Sequence, residues 1–351
     1  MCVSVENCAL KALQLTKPGQ LDLIEAPPPS LPAGHLLVRT AVAVICTSDL
    51  ADIRENPFGI RLPQIIGHEG AGVVEAAGDG VKDFAPGDRI AAHPVHPCRQ
   101  CPECRSGVGH LCRNMWHLGI NMSGTFAEFF VVRADRARKV GDMPLGLAAL
   151  AEPVCVCLEA LAQARLAAGG RLLIIGDGPF GAMLANLAPE FKPAEVVIAG
   201  HHDFRMGFAP PATTKVNLKT AGADALKKLA GPLGFDAAIL AVGSAKAVAT
   251  CIELLRPKGR LVIFSAIPGL SSVDLFRVHV RELELIGACN DQERFDEALS
   301  HLRQPAGRDL GRLITHGLPL EQYRQAIELA DRGRETAMKV AFELKAGELP
   351  R

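Results

Sequence analysis

Two short stretches, Cys46-Thr47-Ser48-Asp49 and Gly67-His68-Glu69-Gly70-Ala71-Gly72, offer a thiol, an imidazole and carboxylates that could converge in space. Zn²⁺ takes donors of these kinds, and a site with three protein ligands keeps one position open for chemistry. The glycines around His68-Glu69 let the backbone bend there, so two adjacent side chains can point near one centre. Alone, a Cys and a distant His-Glu pair read as ordinary core and surface residues, because isolated matches are often accidental.

A second set stands at Cys98, Cys101, Cys104 and Cys112, at spacings of three, three and eight. Four thiolates so spaced can close a tetrahedron around a structural Zn²⁺ and fold a lobe, about residues 94–115, that is too irregular to hold itself. With four ligands the site has no vacancy for catalysis. Unrelated buried cysteines belong in apolar segments, and this stretch is polar and Gly-rich.

A third pattern follows the apolar run Arg171–Ile175, which reads as a strand buried on both faces. It leads into Gly176-Asp177-Gly178-Pro179-Phe180-Gly181, a helix over 182–188 and a second strand over 195–199. Strand, glycine turn, helix and strand are the context in which such a turn holds the pyrophosphate of a dinucleotide at a helix N-terminus. Gly176, Gly178, Pro179, Phe180 and Gly181 are the expected cofactor residues.

Short strands punctuated by Gly and Pro position the first site. A hairpin is expected over 9–25 around Lys17-Pro18-Gly19-Gln20, with strands over 36–43, 72–77, 90–92 and 124–132. The strand over 36–43 delivers the chain to Cys46. Helical character is expected over 145–162. Strands over 237–242, 260–264 and 281–289 alternate with helices, one of them stopping at Arg256-Pro257-Lys258-Gly259. A helix is expected over 293–302.

The chain has 351 residues, long enough for two domains, and its 38 basic and 38 acidic residues balance. That balance, with one Trp and one Tyr, argues against nucleic acid as a partner and for a small neutral or weakly polar substrate. No basic start with an apolar core and no run long enough to span a bilayer is present, so a cytoplasmic protein without membrane contact is expected. Eleven cysteines suggest metal ligation over a disulfide framework.

Gly67-His68-Glu69-x-x-Gly72 with Gly78 and Val81, then the four-cysteine lobe, then the glycine turn, together resemble the zinc-containing medium-chain dehydrogenases, the family of alcohol, sorbitol and threonine dehydrogenases. The resemblance covers nearly the whole chain. It implies an α/β fold in which a GroES-like β-barrel catalytic domain (1–151, completed by 288–351) carries an inserted Rossmann doubly wound parallel-sheet domain (152–287). It implies two zinc ions per chain, a homodimer or homotetramer, and an active site in the cleft between domains. The activity implied is hydride transfer between a secondary alcohol or polyol and NAD or NADP.

By the same resemblance Cys46, His68 and an acid, Glu69 or Glu152, hold the catalytic zinc; Ser48 is the relay hydroxyl and Asp49 an orienting carboxylate. Ala51 replaces a relay histidine, so an outer relay runs through water or Asp52. Gly200 stands where NAD-dependent members carry an acid, and His201, His202 and Arg205 follow it, so NADP is favoured. Against NADP, Asp203 could take the ribose hydroxyls. Trp116 and His93 are candidate pocket residues, and Ala288-Cys289-Asn290-Asp291 departs from the polyol dehydrogenases. The rivals are a zinc-independent quinone or enone reductase of the same superfamily and a zinc-stabilised regulatory protein.

Overall fold

The computed structural model describes residues 9–267 and 269–350. They form two compact units. One takes the chain up to Pro153 together with Phe295–Gly333 and the residues from Ala337 on; the other takes Val154–Arg294 and Arg334–Thr336.

In the first unit the alternating run Leu10–Lys17 turns back through Pro18-Gly19 and pairs antiparallel with Gln20–Ala26. The apolar, β-branched strand His35–Val44 is the spine of a seven-stranded sheet, flanked by Glu69–Ala77 on one side and Lys339–Glu343 on the other. Its side chains feed two cores. One holds Leu36, Val38, Val74, Ile90 and Phe130; the other holds Leu13, Leu15, Ile45, Phe126 and Phe342. Each of these side chains is at most 4% exposed, so burial, worth roughly 1.5–3 kcal/mol for a large apolar side chain, fixes the strand ends on which the site stands.

In the second unit six strands run parallel in the order Thr214–Asn217, Glu195–Gly200, Arg171–Ile175, Phe235–Leu240, Leu255–Ile263, Glu284–Gly287. The chain adds strands to one side of Arg171–Ile175, then returns to the other. The reversal falls at the carboxyl end of Arg171–Ile175, where open α/β sheets bind their ligands. Leu173, Val197, Ala238, Leu240 and Leu261 form the core on one face.

Several expected boundaries move. Strand over 124–132 shrinks to Phe129–Arg133, because Ala127 makes only an isolated bridge to Ala12. Helical character over 145–162 divides at Leu150 into Leu145–Ala149 and Ala151–Ala164, and Pro153 lies in the first turn of the second helix, where its missing N–H costs nothing. Arg256-Pro257-Lys258-Gly259 does not stop a helix: Ala245–Leu254 ends earlier, and these residues form an irregularity in the strand Leu255–Ile263, with Lys258 at φ 60°. Strand over 281–289 contracts to Glu284–Gly287. Residues 288–294 lie with the second unit.

Candidate metal and nucleotide sites

Cys46 follows the strand His35–Val44 and caps the helix Thr47–Glu55. Asp49, at the third position of that helix, accepts a hydrogen bond from the Cys46 backbone N–H at 2.8 Å through Oδ2. Its other oxygen, Oδ1, lies 3.1 Å from Nδ1 of His68. Asp49 therefore fixes the loop that carries the thiol and holds His68 as the Nδ1–H form, with the Nε2 lone pair directed elsewhere. Gly67, at φ +95°, turns the chain into His68; a Cβ there would meet Phe126 at 2.3 Å, so no other residue fits.

The ligand atoms of Cys46, His68 and Glu69 lie within 4.8 Å of one another, and all three residues are buried. One thiol, one imidazole and one carboxylate at that spacing suit a Zn²⁺ with a vacancy. Glu152 falls outside that group. It is buried in the first turn of Ala151–Ala164, and its charge is felt at Lys339. Ser48 Oγ stands 3.5 Å from His68 Nε2.

Charges around the group are balanced locally. Lys339 reaches Glu69 at 2.9 Å to Oε1 and 2.7 Å to Oε2, and both side chains are essentially sealed from water. Burial alone lowers the Lys339 pKa, but Glu69 and Cys46 outweigh it, so the ammonium stays charged. Burial likewise pulls the His68 imidazole down, and Asp49 and Cys46 together hold it up. Burial pushes the Asp52 carboxyl up to about 6, against the Phe58 N–H that donates to it.

Cys98, Cys101, Cys104 and Cys112 also lie within 4.8 Å of one another. Sγ pairs stand at 4.0 Å (Cys98 to Cys104), 3.4 Å (Cys101 to Cys104) and 3.6 Å (Cys101 to Cys112). A tetrahedral zinc with Zn–S bonds of ~2.3 Å needs sulfur separations of about 3.8 Å, which this cage matches. Backbone N–H groups of Gln100 and Cys101 draw the Cys98 thiol down to about 6, toward the thiolate that a metal needs.

In the second unit the glycine turn joins Arg171–Ile175 to the helix Pro179–Leu187, with Gly178 at the N-cap and Pro179 at the first helical position. A Cβ on Gly181 would lie 1.8 Å from the Gly176 carbonyl oxygen, so this close packing of helix on strand end admits only glycine. Phe180 packs edge-on against Phe264 at 5.2 Å. Gly200 ends the neighbouring strand Glu195–Gly200, followed by His201, His202 and the short helix Asp203–Met206 that carries Arg205.

Comparison with known proteins agrees. The alcohol dehydrogenase GroES-like domain matches residues 32–142, and the zinc-binding dehydrogenase domain matches residues 179–304. D-altritol 5-dehydrogenase of Agrobacterium fabrum is 34% identical over 322 residues, 89% of this chain and 94% of that protein. The chain belongs to the zinc-containing medium-chain dehydrogenase family. Among solved structures, a zinc-binding dehydrogenase of Sinorhizobium meliloti 1021 bound to NADP superposes with TM-score 0.86 at 25% identity, covering 95% of this chain and 99% of that one. An Escherichia coli CFT073 alcohol dehydrogenase complexed with NADH superposes with TM-score 0.88 at 25% identity, covering 96% and 100%. This dehydrogenase thus combines a GroES-like unit with a Rossmann unit and is an NAD(P)-dependent oxidoreductase.

Sequence reasoning missed three residues of these sites in the dehydrogenase. Lys339 was the first; a lone lysine inside the apolar strand Lys339–Glu343 is the signal that pointed to a buried partner. His117 is the second: its ring stands 5.7 Å from that of His68, and its Nδ1 bonds the Leu118 carbonyl at 2.7 Å. Burial, then the charge of His68, pushes His117 down to about 3, so it stays neutral. The third is Asp177, inside the glycine turn. Its carboxylate accepts hydrogen bonds from the His201 and His202 backbone N–H groups at the end of the strand Glu195–Gly200. Trp116, a candidate pocket residue, is 57% exposed on the ribbon it forms with Val95–His96. Among the described residues no helix is long and apolar enough to cross a membrane.

Proposed function

We propose that this dehydrogenase oxidises a secondary alcohol or polyol, or reduces the matching ketone, at a zinc held by Cys46, His68 and Glu69, with Glu152 the alternative acid. A second, structural zinc is held by Cys98, Cys101, Cys104 and Cys112, making two per chain. The observation that carries the reading is the convergence of Cys46, His68 and Glu69, with the Ser48 hydroxyl 3.5 Å from His68 Nε2. A polyol substrate is supported by the altritol dehydrogenase relative.

Zinc held by these residues would make a substrate hydroxyl acidic near neutral pH, and a nicotinamide would supply the hydride acceptor. The rest falls to the chain. Ser48 accepts the hydroxyl proton beside the ligand set as it releases its own outward. Asp52, whose carboxyl burial pushes up to about 6, is the next proton acceptor on the same helix. Asp49 keeps the His68 proton on Nδ1 throughout. Lys339 cancels one of the two negative charges of Cys46 and Glu69, which tunes how strongly the site favours an anionic substrate oxygen.

Gly176, Gly178, Pro179, Phe180 and Gly181 bind the pyrophosphate of the dinucleotide. His201, His202 and Arg205 favour the 2′-phosphate of NADP, and Asp177 opposes it. A homodimer or homotetramer is supported by Leu270, Leu275, Phe276 and Val280, each more than half exposed, close in sequence to the edge strand Glu284–Gly287. Cys46, Cys98, Cys101, Cys104 and Cys112 are grouped for a metal and not for disulfides, which supports a cytoplasmic location.

Metal analysis and a panel of alcohols and polyols with each cofactor test the proposal. Two zincs are expected in the wild type and one in Cys46→Ser, which should reduce neither NAD nor NADP with any substrate. Unchanged zinc content in Cys46→Ser would overturn it.

A further inference from the structure

Asp177, inside the glycine turn, is tightly held. Its Oδ2 accepts hydrogen bonds from the backbone N–H of His201 at 2.6 Å and of His202 at 2.7 Å, and lies 3.0 Å from Nδ1 of His202. A Cβ on Gly200 would lie 2.3 Å from the Asp177 Cβ and 2.5 Å from its Oδ2. Asp177 thus fills the volume that a side chain at position 200 would occupy. Gly200 is the residue that makes room for it.

Successive backbone N–H groups beside an imidazole form a concavity that binds anions. Here the anion is the chain's own carboxylate. A ribose bearing a free 2′-hydroxyl can donate to such a carboxylate. A 2′-phosphate, carrying roughly −1.5 to −2 charges, must compete for the same donors and is repelled. Burial raises the Asp177 pKa, but the His201 and His202 donors outweigh it and hold the carboxyl below its ordinary value, so it is ionised at neutral pH. Arg205, itself buried, and Arg334, which acts on it from the segment Arg334–Thr336, add positive charge to this unit. Their pull on a phosphate is set against an anion already seated on the donors nearest the strand end.

We infer that Asp177 is the nucleotide-selecting residue of this dehydrogenase, replacing from within the glycine turn the acid missing at the strand end and favouring NAD over NADP. The inference rests on the reading of the second unit as a nicotinamide dinucleotide site, and it reverses the preference expected from Gly200, His201, His202 and Arg205.

Binding of NADH and NADPH to the full chain, followed by nucleotide fluorescence, tests it without turnover. Asp177→Asn keeps an oxygen for the two backbone N–H groups and removes the charge. The wild type should bind NADH at least about tenfold tighter than NADPH. In Asp177→Asn, NADPH should bind about tenfold tighter than in the wild type, with NADH changed less than about threefold. A wild type that prefers NADPH, or an Asp177→Asn that loses both affinities equally, overturns the inference. Should Asp177→Asn not fold, competition on the wild type decides: 2′,5′-ADP should compete more weakly than 5′-AMP, and equal or stronger competition refutes the role of Asp177. Failure to bind either dinucleotide would overturn the dinucleotide reading itself, and the inference with it.

Discussion

Asp49→Asn should separate the geometry of the proposed catalytic zinc site from the mere presence of its ligands. Asp49 uses both carboxylate oxygens, one on the Cys46 N–H at 2.8 Å and one on His68 Nδ1 at 3.1 Å. Asparagine keeps one oxygen. If that oxygen stays on Cys46, the amide N–H faces Nδ1, which must become an acceptor; the imidazole proton then moves to Nε2 and removes the lone pair that a metal needs. If it turns to His68 instead, the N-cap of Thr47–Glu55 loses its bond, at a cost of about 0.5–2 kcal/mol. Loss of such an outer partner weakens metal affinity roughly 10–100-fold, or about 1.4–2.8 kcal/mol. Chelator competition followed by zinc counting reads this directly, because the four-cysteine cage shares no ligand with Asp49 and serves as an internal standard. One zinc per chain should leave Asp49→Asn at a 10–100-fold lower chelator concentration than it leaves the wild type, while the other stays. Superimposable titrations of wild type and variant would refute the orienting role of Asp49.

Lys339→Met leaves Glu69 buried without its cation and should destabilise the metal-free protein by about 3–5 kcal/mol in denaturant unfolding; adding Glu69→Gln should restore much of that, and additive losses would refute the coupling. Gly181→Ala must push a methyl group into the Gly176 carbonyl oxygen at 1.8 Å, costing about 1–3 kcal/mol and weakening NADH binding at least about tenfold by fluorescence titration; wild-type affinity would contradict the turn's assignment. Glu348 is held at about 2 by Arg89, which bonds both its oxygens at 2.9 and 2.8 Å, so the pair stabilises the fold above the ordinary Glu pKa and loses that contribution as pH falls from about 4.5 to about 2. Glu348→Gln should therefore be less stable than the wild type by about 1–2 kcal/mol at pH 7, allowing for the partial exposure of Arg89, and the gap should close between pH 4.5 and 2. A gap that persists at pH 2 would rule the pair out as its cause.

Short-range spacing made much of this dehydrogenase legible without coordinates. Cys98, Cys101, Cys104 and Cys112 lie within fifteen positions of one another, so a metal can gather them whatever the rest of the chain does. A glycine turn between an apolar strand and a helix likewise carries its function in its own backbone, and the alternation of strands and helices fixed the doubly wound sheet. Boundaries moved where tertiary pairing overrode local signals: Pro257 and Lys258, a plausible helix stop, are absorbed into a strand irregularity because their neighbours pair with Phe235–Leu240.

Long-range register decided the rest. Lys339 meets Glu69 across 270 residues only because Lys339–Glu343 and Glu69–Ala77 flank the same strand His35–Val44. His117 reaches the His68 ring without any spacing in the sequence that pairs them. Gly200 read as a missing acid, yet parallel pairing of Arg171–Ile175 with Glu195–Gly200 sets Asp177 in the space that the glycine leaves open. Residue types and local spacing determined which chemistry this protein carries; the packing of distant strands determined which charges surround it, because charges act through space and not along the chain.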